Sequence, residues 1–450
     1  MGKQNSTETQ FFIMLRLIKA NQKNFLSKLD FILEKRKIKN PHIDSKIKII
    51  ISDVKKNKDL ALIKYEKKFS KFKNISINNI KFTKEEKKKI IKKLDRKTKN
   101  SINLAYSRIL NFHKKQKMSS FSFTDKFKNS FSYKSNAINK VGVYVPGGLA
   151  SYPSSVLMNC IPAIVAGVKN IYMTTPSVFK NYNPAVIYAA KKCKVKEIYK
   201  VGGAQAIAAM AYGTKVVNKV DKIVGPGNAY VAAAKKQVFG DVGIDMIAGP
   251  SEVTVVADKS SKPDWIAADL IAQAEHDESS QSIVISDNVE VINKINYFLL
   301  EQLKSLPKKK IASKSLKNFG LSILVKNKKL LVDTINLIAP EHLEIFTKNP
   351  EQILKKITNA GSIFVGQYSP EAVGDYLAGP NHVLPTAGSA RFSSGLSVYD
   401  FLKRHSIIKM SKSGIERLGA SVINLAKYEN LEGHANSIKI RLKKRKKLIG

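Results

Sequence analysis

The chain has 450 residues, 43% hydrophobic and 25% charged, which is the make-up of a folded globular protein with room for roughly two to four domains and not of a disordered chain. Its formal net charge of +43 suggests nucleic acid or an anionic membrane, yet only nine of the 78 basic residues are Arg, the usual reader of phosphate and guanine. Residues 201–300 hold eight Lys against twelve Asp or Glu, so the Lys excess belongs to peripheral, solvated faces, and no nucleic-acid or membrane partner is expected.

The start, MGKQNSTETQFFIML, carries an apolar run too short for a signal peptide, and no window reaches the length of a membrane span. Met1, Gly2 and Ser6 fit a short N-myristoylation pattern, a weak anchor on its own. The two cysteines, Cys160 and Cys193, form no disulfide framework and no metal knuckle, so a cytoplasmic chain is expected. Residues 10–115 read as helical with Lys-rich faces. In DLALIKYEKKFS, Leu62, Tyr65 and Phe69 share a stripe and Asp59 suits the first turn.

The pattern changes near Ile138. Val141–Val145 reads as a strand, followed by Pro146-Gly147-Gly148 and a helix from about Ser154 to Gly167. Strands at Ile171–Thr174, Glu197–Val201 and Lys222–Val224 alternate with helices at Pro184–Cys193, Ala204–Tyr212 and Ala229–Val238. Glycines follow the strands, at 147, 202 and 225. This alternation implies a doubly wound parallel sheet whose glycine turns line a crevice at the strand ends. None of the turns is GxGxxG, so the same glycines equally suit tight strand-to-helix turns. A second α/β unit follows, with strands at Val253–Ala257 and Ser282–Ile285 and helices at Asp264–Glu275 and Val289–Ser305, and runs through Ala360–Gly366. From Asp400 onward the chain reads as helix, strand and a solvated basic tail, RLKKRKKLIG.

Five of the seven histidines follow residue 270, most beside acids, amides or glycines. Gln273 and His276 are three apart and share a helix face; Asp375 and His382 bracket a Gly-Pro-Asn turn; Glu429 precedes His434. Such nitrogen and oxygen donors would suit a borderline divalent ion such as zinc. In IAPEHLEI, a carboxylate (Glu341) and an imidazole (His342) follow Pro340, where an irregular turn would let both reach one cavity and divide acid and base work. A Glu and His at an ordinary helix start is the competing interpretation. Two other functions fit parts of this pattern: a zinc hydrolase with Glu341 as general base, and a basic nucleic-acid-binding protein.

The blocks VGVYVPGG (141–148), VGGAQAIAAMAYGT (201–214), KIVGPGNAYVAAAKKQV (222–238), DMIAGPSEV (245–253), ADLIAQAEHD (268–277), IAPEHLEI (338–345), GDYLAGPNHVLPT (374–386) and LEGHANSI (431–438) resemble the histidinol dehydrogenase family. The resemblance implies oxidation of L-histidinol to L-histidine by two NAD⁺ in succession, one zinc per subunit and a homodimer. It implies Gln273, His276, Asp375 and His434 as zinc ligands and Glu341 and His342 as the acid/base pair. It also implies Ser251, His382 and Glu429 as further substrate contacts, alongside the ligands and His342, and Tyr144, Gln205 and Asn228 as NAD contacts. Catalysis through a cysteine is not expected, because Cys160 lies in an apolar helix and Cys193 at a helix end.

The first 130 or so residues match no block, and Asp277-Glu278 replaces a more usual Gly- or Pro-containing turn. The expected fold is α/β: two Rossmann-like doubly wound parallel-sheet domains with helical N-terminal and C-terminal extensions. The division expected is 1–40 as a helical extension, 41–140 with 254–395 carrying the metal and catalytic residues, 141–253 carrying the dinucleotide crevice, and 396–450 as a dimerisation segment.

Overall fold

The computed structural model describes residues 14–21, 23–36, 41–70, 74–116, 120–147, 152–176 and 182–443. Gly148, the Met1-Gly2-Ser6 pattern and the last residues of the basic tail lie outside them. The chain forms two compact units, Met1–Gln116 with Asn139–Asp400, and Lys117–Ile138 with Phe401–Gly450. Its strands are β1 (Arg16–Lys19), β2 (Phe121–Thr124), β3 (Ser130–Ala137), β4 (Lys140–Tyr144), β5 (Asn170–Thr174), β6 (Glu197–Tyr199), β7 (Lys222–Val224), β8 (Gly243–Ile244), β9 (Glu252–Ala257), β10 (Gln281–Ser286), β11 (Leu321–Leu324), β12 (His342–Ile345), β13 (Ser362–Val365) and β14 (Leu402–Lys409).

The first unit holds two parallel sheets. The six-stranded sheet runs β1-β11-β10-β9-β12-β13. Its central strand β9, EVTVVA, is buried throughout, as a parallel strand covered on both faces must be. Side chains alternate between the faces. Val253, Val255 and Ala257 pack with Leu270 of the helix Pro263–Ala274 and with Ile295 and Leu299 of the helix Val289–Leu303. Val256, Leu343 and Ile345 pack on the other side with Phe25 and Leu29 of the helix Phe25–Lys35 and with Ile335 of the helix Lys328–Ile338. The sheet reverses its order between β9 and β12, which places these two strands, far apart in sequence, side by side.

The five-stranded sheet runs β6-β5-β4-β7-β8, all parallel, with its order reversing at β4 and β7. Its helices begin and end within a residue or two of their expected positions: Pro153–Ala166, Pro184–Lys192, Gly203–Tyr212 and Ala229–Val238. The helix Pro41–Phe69 lays Ile47, Ile50, Val54, Leu62 and Tyr65 into the core that this sheet shares with Gly203–Tyr212 and Ala229–Val238. The sequence-based division instead grouped 41–140 with the other sheet, because a Lys-rich amphipathic helix does not reveal which face it covers. That helix breaks at Lys58 (φ 49°, ψ −122°). The Asp59 carboxylate, beyond the break, accepts hydrogen bonds from the backbone N–H of Lys215 (2.9 Å) and Val216 (3.4 Å).

Two stretches depart from the expected pattern. The region read as wholly helical contains β1, whose RLIK has one buried residue and gains its partners only by pairing with β11. In the second unit, β14, β3 and β2 form an antiparallel sheet. The helices Lys412–Tyr428 and Glu432–Leu442 then pack together, with Gly419 close to Ile438 and Leu442. The C-terminal order is therefore strand, helix, helix. Strand β14, LKRHSIIK, is largely exposed, so no burial alternation marks it. No helix among the described residues is long and apolar enough to cross a membrane.

Candidate functional site

The helix Lys328–Ile338 ends at Ala339, which takes the left-handed conformation (φ 47°), and Pro340 prevents its continuation. Glu341 follows, and His342 opens β12, so the pair sits at a strand's amino end and not at a helix start. Both are almost fully buried. The Glu341 carboxylate accepts a hydrogen bond from the Glu252 N–H (2.9 Å), and His342 Nδ1 donates to the Glu252 carbonyl (3.1 Å). That second bond fixes the tautomer: Nδ1 holds the proton, while Nε2 is buried without a hydrogen-bond partner among the described residues. Burial pushes the His342 imidazole down to about 4, so it is neutral near pH 7. Burial, with the Glu252 charge, pushes the Glu341 carboxyl well above the usual carboxylate range. Burial thus makes the Glu341 carboxylate more basic than usual, while its neighbour offers a bare lone pair.

Around this pair the chain gathers further polar groups. The short helix Glu371–Tyr376 contributes Glu371 and, one turn later, Asp375. Ligand atoms of His342, Glu371 and Asp375 lie within 4.8 Å of one another, and His342 Nδ1 is 3.6 Å from Glu371 Oε1. Gln273, fully buried at the end of the helix Pro263–Ala274, turns its NH₂ to Glu371 with N···O distances of 2.5 and 3.1 Å. His382 Nδ1 donates to the Asp375 carbonyl (3.1 Å) and lies 3.6 Å from Asp375 Oδ1. His276 is exposed at the rim. The protein packed around it pushes its imidazole below the ordinary value, against the pull of the Asp375 charge. For Asp375, burial would raise the carboxyl, but His382 and the charges of His342 and His276 bring it below the ordinary value. Gln273, His276, Asp375, His382, Glu341 and His342 therefore meet in one place, with nitrogen and oxygen donors and no thiolate. The crowded carboxylates of Glu371 and Asp375, beside the Gln273 amide, are what a divalent cation would relieve, so the set fits such an ion.

Ser251 stands just before β9. Its carbonyl accepts from the Gln281 N–H (3.0 Å) and from Arg36 (3.0 Å). Glu429 caps the helix Lys412–Tyr428 and His434 lies in the next helix; both are exposed on the second unit.

The sequence reading missed three residues here. Glu371 is buried at 3% exposure between Gln273, His342 and the Glu344 carboxylate, which accepts its N–H (2.7 Å). Its place four residues before Asp375, on one helical face, was the available signal. Glu252 supplies both backbone groups that hold the Glu341-His342 pair. Arg36 forms a buried ion pair with Glu252 and donates to the carbonyls of Pro250 (2.7 Å), Ser251 and Ser279. Nothing marked Arg36 except that it is an Arg in a chain rich in Lys.

At the carboxyl ends of β4 and β7 the glycine turns do come together, but their donors are already used. The Gly202 N–H donates to Glu66 (3.2 Å), the Gly203 N–H to the Tyr144 hydroxyl (3.0 Å) and the Gly225 N–H to Asp245 (2.8 Å). Gly225, at φ +115°, lies so close to the Tyr144 carbonyl that a Cβ would collide with it. The tight-turn reading therefore accounts for Gly202 and Gly225, whose N–H groups are not free to cradle a phosphate. Tyr144 is buried and its hydroxyl is pushed up to about 12 by burial; Gln205 is buried and donates to Glu66 (2.9 Å). Asn228 is exposed and caps Ala229–Val238, accepting from the N–H of Tyr230 and Val231. Amide and hydroxyl groups at a sheet's switch point fit the sugar hydroxyls of a dinucleotide better than its phosphates. Cys160 and Cys193 are free and buried.

The family model described as histidinol dehydrogenase matches residues 33–442. A histidinol dehydrogenase of Pelagibacter ubique is 54% identical over 435 residues, covering 96% of this chain and all of its own length. One from Clostridium acetobutylicum is 48% identical over 411 residues, covering 91% of this chain and 95% of its own. The crystal structure of histidinol dehydrogenase from Elizabethkingia anophelis superposes with a TM-score of 0.90 at 38% identity, covering 95% of this chain and 98% of that one.

Proposed function

The chain belongs to the histidinol dehydrogenase family, which catalyses the final step of histidine biosynthesis, and on that premise we propose that it oxidises L-histidinol to L-histidine through L-histidinal. The observation that carries this reading is the neutral, tautomerically fixed His342 beside Glu341, whose burial makes its carboxylate more basic than an ordinary one. In the first oxidation, His342 Nε2 takes the hydroxyl proton of the substrate as hydride leaves the carbinol carbon. In the second, the Glu341 carboxylate draws a proton from the water that adds to the aldehyde. Its raised basicity suits that task, and His342 again removes a proton as the second hydride leaves. NAD⁺, contacted by Tyr144, Gln205 and Asn228, supplies the hydride acceptor for both steps. Gln273, His276, Asp375 and His434 would hold a zinc ion, which when bound fixes the imidazole and amine nitrogens of the substrate. Ser251, His382 and Glu429 complete the substrate contacts. We assign residues 396–450 to homodimer formation, with Glu429 and His434 serving the site of the partner subunit.

The test is NADH absorbance on adding L-histidinol and NAD⁺ to the zinc-loaded protein, with and without a chelator. A rise that the chelator abolishes is expected. No rise from folded, metal-loaded protein overturns the reading.

A further inference from the structure

Glu66 lies on the helix Pro41–Phe69, far in sequence from every motif above, and is buried at 1% exposure. Its Oε2 accepts hydrogen bonds from the Gly202 N–H (3.2 Å) and from Gln205 Nε2 (2.9 Å). These donors, and the Ser70 side chain, are all neutral, so they hold the carboxylate without cancelling its charge. Burial pushes the carboxyl above its ordinary value, and the bonds from Gln205, Gly202 and Ser70 work against that rise.

Two consequences meet at Gln205. Its NH₂ gives one hydrogen to Glu66, which turns its carbonyl Oε1 to the other side, over the bare Gly203, whose Cβ, if present, would be 2.9 Å from it. An acceptor oxygen backed by a buried negative charge welcomes a hydroxyl and repels a phosphate. We propose that Glu66 is a specificity-determining residue that sets the preference of this crevice for a dinucleotide with a free ribose 2′-hydroxyl over one bearing a 2′-phosphate, acting through the Gln205 amide and its own charge. This rests on the reading of the crevice as the NAD site. Glu66 is a positioning residue and touches neither the substrate nor the reacting atoms.

The experiment measures calorimetric binding of ADP-ribose and of 2′-phospho-ADP-ribose to the full-length protein and to Glu66→Gln and Glu66→Thr, with thermal melts to verify folding. Wild type should favour ADP-ribose by on the order of tenfold or more, the scale of one unscreened like-charge contact. Either folded variant should reduce that ratio at least fivefold, with Glu66→Asp retaining it. A merely structural role would weaken both probes alike and leave the ratio unchanged, which overturns the inference alone. Should neither neutral variant fold, the wild-type ratio decides, and equal binding of the two probes overturns the inference. Wild type that binds neither probe overturns it together with the dinucleotide reading.

Discussion

An imidazole serves as a base only while one nitrogen is bare and the ring stays neutral. For His342 the first condition comes from a single backbone carbonyl and the second from burial. Replacing the ring with an amide of similar reach, His342→Gln, should lower turnover by about 10²–10⁴-fold, the usual share of a general base. On the proposed assignment His342 holds no metal, so metal content should be unchanged, and metal analysis alongside steady-state rates checks both halves. A second expectation concerns Asp269, whose carboxyl burial raises to about 7, close enough to Glu344 to push that buried carboxyl up as well. A raised acid stabilises the fold while protonated in both states, below about pH 4. That contribution is lost as pH rises toward 7, because the unfolded chain gives up the proton first. Asp269→Asn should therefore melt higher than wild type at pH 8, by on the order of 1–2 kcal/mol after allowance for its partial exposure. The gap should shrink toward pH 4, and parallel melts across that range measure it.

Among the elements, the turn at Gly225 is the least tolerant of change. Both its φ of +115° and the Tyr144 carbonyl facing it forbid a side chain. Gly225→Ala should cost on the order of 3 kcal/mol, read from denaturant midpoints. Elements of this kind were the legible ones. Strands followed by Gly turns and apolar helices announce themselves by composition, and the helices of the five-stranded sheet fell within a residue or two of their expected ends. Strands β1 and β14 did not, since one is four residues long and the other is largely exposed, and in both the pairing comes from distant chain. The same limit applies to the site. His342, Asp375 and Gln273 stood in unusual local contexts. Arg36 and Glu252 matter only because the fold brings the end of an N-terminal helix onto the loop before β9. Periodicity carries no trace of such an encounter.

At the scale of the whole molecule, charge is the dominant feature. With +43 spread mostly over exposed Lys, the folded chain repels itself. Its melting temperature should rise as sodium chloride increases from about 10 to 300 mM, where the Debye length falls from roughly 30 Å to below 8 Å. A melting temperature that falls over this range would mean that attractive ion pairs outweigh the repulsion.

The hydrogen bond from His342 to the Glu252 carbonyl joins residues 90 apart in sequence, across the pairing of β9 with β12 that sets His342 opposite Val253. During folding, helices form within microseconds, whereas a contact of this span waits for the central sheet to register. The bare Nε2 of His342 is thus presented only among the last events of assembly.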